Sequence, residues 1–244
     1  LSPKGTCISI RIPQAQLLTL AELNSAKMLN QEALGVLKQV IVSGLSFMIC
    51  GGTGSGKTTL LAALLAEVNA RQRILVIEDT NELKIVHPHV VSLQARGANT
   101  EGAGEVSLRE LVRQALRMRP DRLILGEVRG VEIVDLVNAL NTGHAGGCAT
   151  IHANSAKDVP SRIISLGLLA GVPTVAMQQL FATAIQLIVE LVQLPSGRRL
   201  VARLQLVELV NGSVQIQPAF DWLTRNHDEV GISKFAELVR SSLQ

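Results

Sequence analysis

Eight consecutive residues, Gly51-Gly52-Thr53-Gly54-Ser55-Gly56-Lys57-Thr58, fit the pattern G-x-x-x-x-G-K-[ST] at every fixed position. A loop of this type aims backbone N–H groups at the α- and β-phosphates of a nucleoside triphosphate, while its lysine reaches the β- and γ-phosphates. Glycines let the backbone wrap an anion without Cβ clashes, and the helix that follows adds its unpaired N–H groups and positive dipole end. Thr58 then offers a hydroxyl to Mg²⁺. Hydrolysis of such a ligand needs carboxylates to hold the metal shell or align a water, and cations for the developing charge. Glu78 and Glu127 each stand at the end of an apolar run, Arg73–Ile77 and Arg122–Leu125. The residues alone leave open which acid orders the water and which attends the metal. The aspartate usual before the second acid is here Gly126.

Histidines 144 and 152 flank a glycine-rich stretch at 143–147, without the i, i+4 spacing around a glutamate that marks a helical metal site. A polar sensor of the γ-phosphate fits them better than a metal ligand, with a structural hydrogen-bonding role as the alternative for each. Arg109, Arg113, Arg117, Arg119, Arg122 and Arg129 crowd one stretch. A solvated helix face accounts for most of them, and the bidentate guanidinium fork suits one or two to phosphate contact across a subunit boundary.

Elements that would position these groups are readable around them. Leu45–Cys50 reads as a buried strand and Thr59–Leu65 as the helix after the loop; Ala149–His152 reads as a further strand ending in histidine. Helical patterns are expected around Leu17–Leu23 and Glu32–Val42, and Ser107-Leu108-Arg109-Glu110 is a capping box opening a helix toward Met118. Short apolar strands alternating with helices predict an α/β fold with a mainly parallel sheet covered on both faces, with ligands at the carboxyl ends of its strands. Arg199–Val210 and Val214–Gln217, separated by Asn211-Gly212, resemble an edge hairpin. The uncharged run Ile163–Val189 is long enough to cross a bilayer, but Gly171-Val172-Pro173 interrupts it and glutamines punctuate it, so two core helices and a buried strand are expected there.

The chain has 244 residues, 47% hydrophobic and 18% charged, which suits a sizeable core and excludes a disordered or fibrous class. A net charge of +3 gives no field that demands nucleic acid or anionic lipid. Four Phe, one Trp and no Tyr leave little with which to stack bases, so direct nucleic-acid binding is not expected. Cys7, Cys50 and Cys148 form no C-x-x-C pair, which fits a reducing, cytoplasmic compartment. The opening Leu1-Ser2-Pro3-Lys4 reads as the continuation of a longer chain, and Cys7–Ile12 as a strand or linker joining a truncated N-terminal domain to the core.

Four blocks together resemble the secretion-superfamily (traffic) ATPases of type II and type IV secretion, conjugation and type IV-like pili. They are GGTGSGKTT at 51–59, IEDTNEL at 77–83, LRMRPDRLILGEVRG at 116–130 and TGHAGGCATIHANS at 142–155. The resemblance implies a RecA-like P-loop NTPase core over 31–244, preceded over 1–30 by a linker and the remnant of an N-terminal domain. It implies ATP and Mg²⁺ as cofactors, with residues 51–59, Thr59 included, on the nucleotide and Thr58 and Glu127 near the metal. Glu78 and Glu127 become catalytic or Mg²⁺-associated acids, His152 a neighbour of the γ-phosphate, and Arg117 a candidate arginine finger. A hexameric ring on the cytoplasmic face of the inner membrane, working against platform proteins of a pilus or secretion machine, is implied as well. Within the superfamily the chain looks like the conjugation and Tad-pilus branch, and most like Tad/Flp pilus ATPases of the CpaF type. Ser9-Ile10-Arg11-Ile12-Pro13 resembles the linker from which that branch contributes a nucleotide-contacting arginine, Arg11 here. One departure stands out: Gly147, Cys148 and Ala149 replace the Ser-Leu-Thr portion of that branch's histidine box. Two other classes compete with the motor reading, a nucleotide-gated docking subunit with little turnover and a small-molecule kinase; the acids and histidine box favour hydrolysis over the first, and no acceptor-binding lid is apparent for the second.

Overall fold

The computed structural model describes Gly5 and residues 17–98, 103–143 and 146–243. Arg11, Cys7 and His144 lie outside the described residues.

In chain order the elements are helices α1 (Leu20–Ser25) and α2 (Gln31–Val42), strand β1 (Phe47–Gly51), α3 (Lys57–Leu65), β2 (Ile74–Glu78), β3 (Val90–Gln94), α4 (Leu108–Leu116), β4 (Arg122–Val128), α5 (Glu132–Asn141) and β5 (Cys148–His152). After a 3₁₀ turn at Ala156–Asp158 come α6 (Val159–Leu169), α7 (Thr174–Ala184), β6 (Leu187–Gln193), β7 (Arg199–Val210), β8 (Ser213–Asp221) and α8 (Glu229–Ser242). The strands form one sheet in the order β3-β2-β4-β5-β1-β6-β7-β8. Strands β3 to β6 in that order run parallel, and β7 and β8 add an antiparallel edge. This is the expected α/β architecture.

The parallel strands read as apolar runs because helices cover both their faces. One apolar cluster joins α1, α2, α3 and Phe235 of α8 to one face through residues such as Leu37, Ile49, Leu61 and Val189. The other joins α4 to α7 to the opposite face through Met48, Val112, Leu136, Ile163 and Phe181. Leu20 and Leu23 of α1 are buried in the first cluster.

Local sequence explains the element ends. Ser107 and Glu110 form the reciprocal capping box that opens α4, and Asn30 caps α2 by accepting from the N–H of Ala33. Asn211 and Gly212 both adopt positive φ, 51° and 76°, as the two-residue turn between β7 and β8 requires. The uncharged run resolves into the greater part of α6, all of α7 and the start of β6, and among the described residues no helix is long and apolar enough to cross a membrane. Strand β4 extends beyond the four residues expected and carries Gly126 and Glu127 inside it, with a register shift between Leu125 and Val128 against β5. Such an irregularity re-aims a side chain at a strand end.

Candidate nucleotide site

The glycine loop leaves β1 at Gly51, which is paired with His152 across the β1–β5 ladder. The histidine box and the loop are therefore neighbours by strand register. A Cβ on Gly51 would sit 2.7 Å from both the Leu191 carbonyl oxygen and Ser55 Oγ, so only glycine fits there. Gly56 enters α3 at φ 95°, and no side chain caps the helix. The N–H groups of Gly54, Gly56, Lys57 and Thr58 find no acceptor among the described residues, and Ser55 Oγ is buried without a partner. Buried or helix-terminal donors left unpaired are costly. Several such donors gathered in one loop, with a helix dipole behind, suit a phosphate chain, so the residues fit a nucleoside triphosphate.

Lys57 is almost fully buried, and its Nζ donates to the carbonyls of Gly51 and Gly52, both at 2.9 Å. Burial lowers its pKa, with Glu127 acting in the opposite sense. Nζ also lies 3.4 Å from Nδ1 of His152. An ammonium only donates, so Nδ1 must accept and the neutral ring carries its proton on Nε2. Nε2 faces Glu127 Oε1 at 2.6 Å, off the axis a hydrogen bond requires, and that oxygen remains buried and unsatisfied. Burial first, then Lys57, push the His152 pKa below the ordinary histidine value, while Glu127 pulls it up. Lys57, His152 and Glu127 thus form one contiguous row.

The other Glu127 oxygen, Oε2, accepts from Arg129, at 2.8 Å from Nε, and Arg129 Nη1 donates to Asp79 at 2.7 Å. Thr58, Glu78, Asp79, Glu127 and Arg129 line one small cavity beside the loop. Among the described residues no cluster of three or more His, Cys, Asp or Glu is arranged to hold a metal. A Mg²⁺ ion there would depend on nucleotide oxygens, with Thr58 and the nearby acids completing its surroundings.

Glu78 differs in kind. It is buried, and its carboxylate accepts from the N–H of Leu83 at 3.0 Å and of Glu82 at 3.3 Å. Burial raises its pKa against the pull of those two bonds. Its stem lies over Gly126: a Cβ at 126 would be 2.6 Å from Glu78 Cγ. The missing aspartate is thereby explained, because Glu78 fills the space such a side chain would take.

The arginines separate cleanly. Arg109 and Arg113 both bind Asp135, at 2.6 and 2.8 Å. Arg122 is buried and donates to the carbonyls of Ile41 and Gly146 and to Gln72, tying α2 to the loop before β5. Arg117 follows α4, exposed, donating to Gln114 at 3.0 Å and lining neither cavity beside the loop. Only Arg129 of this group reaches the acids within the chain. A second cleft, of about 560 Å³, opens on the other side of the loop between Gly52, Thr53, His152, Asn154 and the Asp158–Arg162 end of α6. Sequence reasoning did not single out Arg162 there, nor Arg199, whose stem passes near Gly56. Each is one basic residue in an ordinary helix or hairpin, without a motif. Gly147, at the departure in the histidine box, is demanded by packing: a Cβ would lie 2.7 Å from the Leu123 carbonyl and closer still to Leu140.

The sheet order, the uncapped glycine loop and the acids at neighbouring strand ends define a P-loop nucleotide-binding domain. The sequence profile of the family "Type II/IV secretion system protein" matches residues 2–226, and the chain belongs to that family. It is 47% identical over 212 residues to the "Putative conjugal transfer protein Rv3659c" of Mycobacterium tuberculosis, covering 87% of this chain and 60% of that protein. It is 34% identical over 198 residues to the "Conjugal transfer protein TrbB" of Rhizobium radiobacter, covering 80% and 58%. The chain therefore spans about three-fifths of the length of these relatives. Among solved structures, the VirB11 ATPase from the Brucella suis type IV secretion system superposes with a TM-score of 0.64 at 28% identity, over 80% of this chain and 58% of that one. The pilus retraction motor PilT, at 24% identity and a TM-score of 0.56, shares the fold.

Proposed function

We propose that this chain is the nucleotide-hydrolysing core of a motor ATPase serving a type II/IV secretion or type IV-like pilus machine. The observation that carries it is the row Lys57–His152–Glu127 beside an uncapped helix N-terminus whose loop donors lack acceptors among the described residues. In this reading ATP and water become ADP and phosphate. Lys57 and the loop N–H groups hold the phosphates, with residues 51–59 around them; Thr58 would help hold a Mg²⁺ ion, which would supply charge neutralisation for the phosphates. Glu127, whose Oε1 accepts no hydrogen bond among the described residues, takes a proton from the attacking water. His152, neutral, reports the γ-phosphate to the histidine box. Glu78 shapes the metal side of the pocket, and Arg117 completes the site of an adjoining subunit in a hexameric ring, as Arg11 does from the linker.

The finer reading is a Tad/Flp pilus assembly ATPase of the CpaF type, working at the cytoplasmic face of the inner membrane against platform proteins. The conjugal-transfer reading is the second, favoured by the relatives' names. Pilin and prepilin-peptidase genes beside this one would select the first; relaxase or mating-channel genes would select the second.

A phosphate-release assay on the full-length, assembled protein tests the activity. Turnover well above that of Lys57→Ala is expected, and turnover equal to it overturns the motor reading and leaves a nucleotide-gated docking subunit.

A further inference from the structure

Glu190 is a buried acid with no place in the chemistry above. It lies on β6 beside Cys50, one residue before the glycine loop, and both its strand neighbours are apolar and buried. A carboxylate in such surroundings must be saturated with donors or it would be expelled or protonated. Here both oxygens are satisfied, by donors from two segments, the turn at Ala156 and strand β7. Oε2 accepts from the backbone N–H of Ala156 at 3.1 Å and from Gln205 Nε2 at 2.9 Å, and Oε1 accepts from Arg203 Nη1 at 2.8 Å. Arg203 in turn donates through Nε to Asp221 on β8 at 2.9 Å.

The Ala156 bond is the informative one. Ala156 is fully buried and opens the 3₁₀ turn that follows the histidine box. His152 ends β5, fixed by its pairing with Gly51, and only Ala153, Asn154 and Ser155 separate it from Ala156. The segment is thus pinned at one end by strand pairing and at the other by Glu190. His152, Ala153 and Asn154 form a wall of the cleft beside Gly52 and Thr53. A backbone amide held by a charged, doubly braced acceptor is held more stiffly than one left to water.

We propose that Glu190 is a positioning residue for ATP hydrolysis: by anchoring Ala156 it keeps the His152 imidazole against Lys57 and Glu127, and through Arg203 it makes this placement depend on the β7–β8 hairpin. The proposal rests on the ATPase reading above. Glutamine at 190 has one acceptor oxygen instead of two, so its NH₂ group must face either Arg203 or the Ala156 N–H, both of which only donate. The anchor is then lost on one side without loss of volume.

The test uses the full-length assembled protein and two readouts. In Glu190→Gln the imidazole NMR signals of His152 should move and its titration midpoint change, while Glu208→Gln, which removes a surface partner of Lys234, leaves both alone. Turnover of Glu190→Gln should fall about tenfold with KM for ATP within about twofold, the pattern of a misplaced catalytic group. Arg203→Lys keeps the charge but cannot bridge Glu190 and Asp221 together; it should give a smaller loss of the same kind and serves if the first variant does not fold. Unmoved His152 signals with turnover within about twofold of wild type, in whichever variant folds, would overturn the proposal. The imidazole readout needs no turnover, so if wild-type protein proves inactive the motor reading fails alone and the anchoring is still decided.

Discussion

Two neighbouring strands, β2 and β4, each deliver a glutamate to the same cavity, and the two carboxylates are held by different means. Glu78 is bonded by the backbone of the residues that follow it and is pressed onto Gly126. Glu127 is held by side chains only, Arg129 on one oxygen and an off-axis His152 on the other. A carboxylate whose partners are backbone amides cannot change them without moving the chain. One whose partners are side chains can exchange them for a water, a metal or a phosphate-bound group at little structural cost. The contrast supports the proposed division of labour, with Glu78 shaping the pocket and Glu127 taking part in the reaction, a division the two sequence motifs left open.

The most severe break of this contrast is at Glu127. Glu127→Gln preserves shape and should keep ATP affinity within about threefold, while turnover drops by about 100-fold or more, the scale of a lost general base. Nucleotide binding by fluorescence and phosphate release measured side by side check this; matching losses in both would place Glu127 in binding rather than catalysis. Next in size is Gly126→Ala, which thrusts a methyl group into the stem of Glu78 and should cost about 1–3 kcal/mol of stability by urea denaturation. A neutral result would mean that Glu78 is free to swing aside, and the distinction between the two acids would weaken.

The smallest effect is in pH dependence, where Glu78 and His152 act in opposite directions. Burial raises the Glu78 pKa above 4.5, so the native state retains a proton the unfolded chain has lost, and stability falls as pH rises through that window. The His152 pKa is lowered below 6.5, so the native state binds the proton less, and stability rises with pH up to about that value. Glu78→Gln should flatten the acidic slope alone and His152→Asn the slope nearer neutrality, read as denaturation midpoints across pH 4 to 7. Should both variants flatten the same slope, the two groups titrate as one.

The parts of this site that were legible in the sequence are those in which chemistry and local structure coincide. The glycine loop, the apolar runs at 45–50, 73–77 and 122–125, and the strand ending in His152 each announce an element of the site, with the strand ends shifted by one to three residues. What escaped depends on contacts between distant segments. Helix α5 begins at Glu132 after Val131, with no capping side chain, and so lacks the Ser, Thr, Asp or Asn that announces a helix. Its Glu132 instead accepts from the N–H groups of Arg129 and Gly130, both at 2.7 Å, steadying the turn behind the Glu127 strand. Glu190 sits one residue past the uncharged run ending at Val189, and its partners lie 34, 15 and 13 residues away. No spacing rule connects them. The arginine stretch looked uniform and proved divided: Arg122 is a buried strut, Arg109 and Arg113 brace α5, and Arg129 serves the acids.

The close approach of Glu78 to Gly126 also constrains how this pocket could change over generations. An acid at position 126 and a glutamate at position 78 exclude one another by volume, so neither site can drift alone toward the arrangement in which the second strand carries two consecutive carboxylates. A chain that gains an aspartate at 126 must first, or at the same moment, shorten the residue at 78. The two strands thereby hold a single place for a carboxylate between them, and substitution at one position is expected to be read, across related sequences, as a matched substitution at the other.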